Sequence, residues 1–147
     1  MNFAESLRWD LLQHAPHKGI QQLVKALNTL YRTEPALYKF NFSYEGFEWI
    51  NADDADNSVF IYSRKSDKAK DTLIIMLNLT PVFREHFRIG VPKGKWKEIF
   101  NTDAEEFHGS GKLNTAVFVA VDIPFNNQQQ SIEINVAPLG VSIFKKA

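Results

Sequence analysis

Residues 72–103 read TLIIMLNLTPVFREHFRIGVPKGKWKEIFNTD, and where this stretch is cut decides the fold. Leu73-Ile74-Ile75-Met76-Leu77 is a continuous apolar run closed by Asn78 and Pro81. Two shorter runs follow, around Phe87-Arg88-Ile89 and from Trp96 to Phe100, each closed by Pro, Gly or Asn. A run of about five apolar residues between turn formers is too short for a helix and suits a strand buried on both faces. The spacing therefore predicts a central strand over Thr72–Leu79 and further strands over Arg84–Val91 and Trp96–Asn101.

The same punctuation continues on both sides. It predicts strands over Phe47–Asn51, Ser58–Arg64, Ala116–Ile123, Gln130–Val136 and Gly140–Lys145. Asp53 to Asn57, Arg64 to Asp71, Pro92-Lys93-Gly94, Gly109-Ser110-Gly111, Asn126-Asn127 and Ala137-Pro138 supply the turns. Short strands at this spacing imply an all-β fold, an antiparallel β-sandwich of about eight strands.

Before Pro35 the period changes. Ile20, Leu23, Val24, Leu27, Leu30 and Tyr31 recur at helical spacing and form one apolar stripe. Pro16 fits a first helical turn, and Pro35 disfavours helix at Glu34, so one amphipathic helix is predicted over 16–33. No second helix exists to cover its stripe. Residues 1–40 therefore read as the tail of a preceding domain and 41–147 as the sandwich. The stripe either packs on that sandwich or leaves an exposed apolar patch.

Composition narrows the function. Lys+Arg and Asp+Glu are both 17 in 147 residues. Such a balance argues against nucleic acid or an acidic membrane as partner, since both need a concentrated basic field. No apolar run approaches the roughly 20 residues that span a bilayer. The chain has no cysteine, which excludes disulfides and cysteine-ligated metals and allows a reducing compartment. The expected setting is cytoplasmic.

No constellation reads as an active site. Asp53, Asp54 and Asp56 lack the glycine and glutamate of a calcium loop and read as a solvated turn. Asp103, Glu105 and Glu106, with Glu98 nearby, read as a loop face rather than the paired acids of glycoside chemistry. His14, His17, His86 and His108 are not spaced as metal ligands, and no phosphate loop follows Gly109-Ser110-Gly111. Catalytic residues, metals and cofactors are all expected to be none. An exposed aromatic can stack on a sugar ring, and Trp96, Tyr44 and Trp49 are the candidates for such a platform. For the two tryptophans, burial in the core is the preferred reading.

Several segments resemble one family in order and spacing. Ser6 to Leu12, Gly19 to Arg32, Glu34 to Leu37 and Gly46 to Ile50 are similar to the C-terminal part of glycogen (1,4-α-glucan) branching enzymes of the α-amylase superfamily. So are Asn78-Leu79-Thr80-Pro81-Val82, Phe87 to Pro92, Gly94-Lys95-Trp96, Asn101-Thr102-Asp103 and Ser131 to Leu139. Phe83 departs from the proline that the family pattern leads one to expect. The resemblance implies an enzyme that cleaves an α-1,4-glucan through a covalent glucosyl–carboxylate intermediate and transfers the piece to a 6-hydroxyl. It implies that the catalytic carboxylates lie in a (β/α)₈ barrel preceding this stretch. Residues 1–40 would then be the barrel's terminal helical segment, with Ile20, Leu23, Val24, Leu27 and Leu30 facing the barrel. The expected partners are that barrel and, through the parent enzyme, α-glucan or glycogen. On this reading the chain is inactive alone, supports the barrel and helps position glucan. The alternative is a stand-alone α-glucan-binding β-sandwich module.

Overall fold

A computed structural model describes residues 6–147. Its elements are helix α1 (Ala15–Thr33) and strands β1 (Phe47–Asp54), β2 (Val59–Arg64), β3 (Leu73–Asn78), β4 (Arg84–Val91), β5 (Lys95–Asn101), β6 (Val117–Val119), β7 (Gln130–Val136) and β8 (Gly140–Lys146). All pairings are antiparallel. One sheet has the order β1-β2-β3-β8-β5-β6, and β4 and β7 form the other.

Strand β3 shows why the apolar run is unbroken. Successive side chains of a strand point to opposite faces. Ile74 and Met76 enter the core between the sheets, with Ile61, Ile89, Trp96, Ile132, Ile134 and Phe144. Leu73 and Ile75 face the other way, into a second cluster with Ala36 and Ile143. Both faces of β3 are covered, so every position from Leu73 to Met76 is buried.

The second cluster is roofed by the N-terminal segment. Leu30 at the end of α1 and Leu37 beyond it pack on its rim. Helix α1 begins with Pro16 in its first turn and ends at Thr33. Glu34 then adopts φ −100° and ψ 104°, the extended backbone that the following Pro35 enforces.

Strand β6 is shorter than its sequence pattern. Only Val117–Val119 pair with β5. Val121 then bridges to Ser131 of β7, so the chain leaves one sheet for the other and closes the seam between them. A β-bulge in β5 between Glu98 and Phe100 leaves Trp96 in the inter-sheet core and sends Ile99 and Phe100 to the second cluster.

Candidate functional site

Helix α1 lies against the sandwich by its smallest side chain. A Cβ at Gly19 would sit 2.6 Å from the Phe107 carbonyl oxygen, so only glycine permits this approach. Ala26 and Leu30 are half-buried on the same side, and the cleft beside them is floored by Ile99, Phe100 and Phe107. Polar ties fix the angle of the segment. Glu34 meets Lys145 of β8 at 2.7 Å. Arg64 of β2 donates to the carbonyls of Ala36 and Leu37 and to Oδ1 of Asn41.

The predicted stripe is thereby divided. Leu23 and Leu30 are half-buried, whereas Ile20, Val24, Leu27 and Tyr31 are exposed. At 100° per residue those four fall within about 60° of one another on the helix surface, so the exposed residues form one apolar face. The sandwich covers one flank of the stripe and leaves its centre open.

A second surface lies at the β1–β2 edge. Phe47 and Trp49 of β1 and Phe60 and Tyr62 of β2 form a ring cluster. Phe47 meets Trp49 edge-on at 5.0 Å between centroids and stacks on Tyr62 at 5.1 Å, while Trp49 lies 5.8 Å from Tyr62. Burial raises the Tyr62 phenol pKa above its ordinary value, and the nearby Arg64 charge offsets this in part. Trp49 is 53% exposed, so its expected place in the core is corrected. Alternation along β1 turns Ile50 into the core and leaves Trp49, paired with Tyr62, on the outer face, ahead of the bulge between Trp49 and Asn51. Tyr44, in the turn before β1, is 89% exposed.

Trp96 is in the core, as preferred for it from the sequence, and only its candidacy as a sugar platform is corrected. It is fully buried, and its Nε1 donates to the Pro92 carbonyl at 3.0 Å. An indole at 0% exposure cannot stack on a sugar. Of the three aromatics singled out from sequence, Trp49 and Tyr44 are accessible and Trp96 is core. The partners Phe47, Phe60 and Tyr62 were missed, although the alternation of Val59, Phe60, Ile61 and Tyr62 already places residues 60 and 62 on one face.

Asp103, Glu98 and Asp54 are structural ties. Asp103 accepts from the Ser110 N–H at 2.9 Å, the Ser110 hydroxyl at 2.7 Å and the Lys112 N–H at 3.0 Å. Burial pushes its pKa up, but these donors together outweigh burial and hold it below its ordinary 3.8. Glu98 accepts from Asn114 N–H and Nδ2 and from Asn101 Nδ2. Burial dominates there and leaves its pKa above the ordinary 4.5. Asn114 also bonds Asn135 in both directions, so Glu98, Asn114 and Asn135 staple one sheet to the other. Asp54 accepts from Asn57 and closes the β1–β2 turn. Among the described residues no group of three or more His, Asp or Glu is placed to hold a metal, and no helix is long and apolar enough to cross a membrane.

Comparison with known proteins matches residues 49–147 to the family of the alpha amylase C-terminal all-beta domain. The chain is 42% identical over 145 residues to a 1,4-alpha-glucan branching enzyme of Prochlorococcus marinus, covering 98% of this chain and 19% of that one. Against the enzyme of that name from Aquifex aeolicus the identity is 45% over 141 residues, with 95% and 22% covered. For Pseudomonas putida the figures are 43% over 147 residues, 99% and 20%. The chain thus spans about a fifth of the length of the curated relatives it matches. The crystal structure of an alpha-amylase from H. orenii aligns over 80% of this chain and 18% of that one, at 19% identity and a TM-score of 0.45.

Proposed function

Because the chain belongs to the α-amylase C-terminal all-β domain family, we propose that it serves as the non-catalytic C-terminal domain of a 1,4-α-glucan branching enzyme. The parent enzyme transfers an α-1,4-glucan segment to a 6-hydroxyl and so makes α-1,6 branches. Residues 1–40 are the last helical segment of its catalytic barrel and 41–147 the β-domain that holds that segment in place.

One observation carries this reading. Helix α1 is fixed to the sandwich through Gly19 and Leu30, while Ile20, Val24, Leu27 and Tyr31 remain exposed. A surface helix of a finished domain turns its apolar stripe to the core. Here four of the six stripe residues face away from the sandwich, as they must if a barrel covers that side. The chain contributes no catalytic carboxylate of its own. Its tied acids Glu98 and Asp103 are engaged by Asn114, Ser110 and Lys112. Incubated with amylose, it leaves the iodine colour unchanged; turnover by the chain alone would contradict the reading. In sedimentation it self-associates through the exposed stripe, and Ile20→Lys with Val24→Lys makes it monomeric. A wild-type chain that is strictly monomeric counts against docking through α1.

A second reading has its own observation. Trp49 is half exposed over a bed of three further rings. A rigid, accessible indole is the usual partner for the C–H face of a glucose unit. On this reading the β1–β2 edge grips α-glucan, with Tyr44 as a further contact. Retardation of the chain on glycogen-containing native gels, abolished by Trp49→Ala, supports it; no retardation of the wild type sinks it.

A further inference from the structure

The seam strand leaves an apolar surface that none of the functions above uses. Val117, Val119, Val121, Ile123 and Phe125 occupy alternate positions and are each 41–61% exposed. Between them, Phe118 and Ala120 pack on the core. Both sets are apolar, as in a strand covered on both sides. Val119, Val121 and Ile123 also line a cleft of about 320 Å³ with Phe118 and Ile132, rimmed by the ion-paired Arg88 and Glu133. An apolar cleft with a charged rim accepts an apolar side chain whose neighbours are polar.

The size of the surface decides between occupants. Five side chains of this kind, each about half exposed, present on the order of 400 Å² of apolar surface, the scale of the largest patch on an ordinary monomer. Stable association of free proteins takes about 800 Å² per partner. Contacts between domains of one chain hold with less, because the tether supplies a high effective concentration. The relatives extend over roughly five times the length of this chain. We propose that the seam Val117–Phe125 is a second docking surface for the preceding part of the parent enzyme, separate from α1, and that its cleft takes one apolar side chain of that part. This rests on the function proposed above.

The test exchanges the last fifth of the Prochlorococcus marinus enzyme for this chain and follows thermal unfolding by calorimetry. Val119→Glu with Val121→Glu is compared with Ile20→Lys with Val24→Lys. Glu at 119 lies beside Lys95 in the β5–β6 register, so the fold tolerates it. Val119→Thr with Val121→Thr is the milder pair should the charged one fail to fold, and circular dichroism of the 147-residue chain checks each. The expected result is one coupled transition for the unmodified fusion, split into two by the seam variants. If only the helix variants split it, the seam proposal is overturned and the function stands. If neither pair does, both are overturned. If the seam variants alter only the oligomeric state of the isolated chain, the occupant is a second copy and the proposal is overturned.

Discussion

Glu34 and Lys145 lie 111 residues apart in sequence and meet at 2.7 Å in the fold. The carboxylate sits at the C-terminal end of α1 and the ammonium on the last strand. Both side chains are largely shielded from water. A bond to a charged partner in such a place contributes about 1.5–3 kcal/mol. Lys145→Met should lower unfolding stability by that amount in a urea titration, without changing strand content in circular dichroism. An unchanged midpoint would mean that α1 is held by apolar contact alone.

Gly19 makes the complementary prediction. Glycine to alanine inside a helix normally stabilises by about 0.5–1 kcal/mol. Here the new methyl meets backbone, the Phe107 carbonyl, which cannot swing aside. Gly19→Ala should therefore destabilise the chain and raise amide exchange in α1 and around Phe107. A stabilised variant would show that the helix sits further from the loop.

The two tryptophans should respond in opposite ways. Trp96 is core and bonded to Pro92, so Trp96→Ala costs about 3–5 kcal/mol. Trp49 is exposed, so Trp49→Ala costs about 1 kcal/mol or less, mostly in lost ring contacts. Chemical unfolding of both variants checks the contrast. Equal losses would contradict the difference in burial between the two indoles.

Acid titration should separate Asp103 from Glu98. The folded-state pKa of Asp103 is lowered, so its contribution is fully present above the ordinary 3.8 and is lost as pH falls through the folded value. That of Glu98 is raised, so its contribution is fully present below the ordinary 4.5 and is lost as pH rises through the folded value. Asp103→Asn should lower stability at neutral pH and flatten the acid loss. Glu98→Gln should flatten the decline on the less acidic side. Melting temperatures across this range read both slopes, and slopes of the reverse sign would overturn the assignment.

Much of this fold was legible as turn chemistry. Asn78, for example, donates to the carbonyls of Val82 and Ala137 and accepts from Thr80, so the residue that ends the β3 run also ties two turns together. The strand predicted over Ala116–Ile123 shrank to Val117–Val119, because the change of sheet at Val121 is a long-range event with no local marker. Helical spacing gave the stripe on α1 but not its division. The docked side is set by Gly19, whose lack of a side chain carries no apolar signal. Of the two tryptophans, the core reading held for Trp96 and failed for Trp49, because alternation along β1 turns Ile50 inward and the indole outward, and composition does not show which face of an edge strand is covered. Asp103 was legible as a loop residue, whereas Glu98 lies in β5, and the donors of both, Ser110, Lys112 and Asn114, come together only in the folded loop.

The most direct test of the account is branching by the fusion of this chain to the first four-fifths of the Prochlorococcus marinus enzyme. The account predicts that the fusion branches amylose, read as loss of iodine colour with new α-1,6 linkages. It also predicts that Ile20→Lys with Val24→Lys abolishes this while the 147-residue chain still folds. A fusion that folds but does not branch, or one that branches equally well with the charged helix, would contradict it.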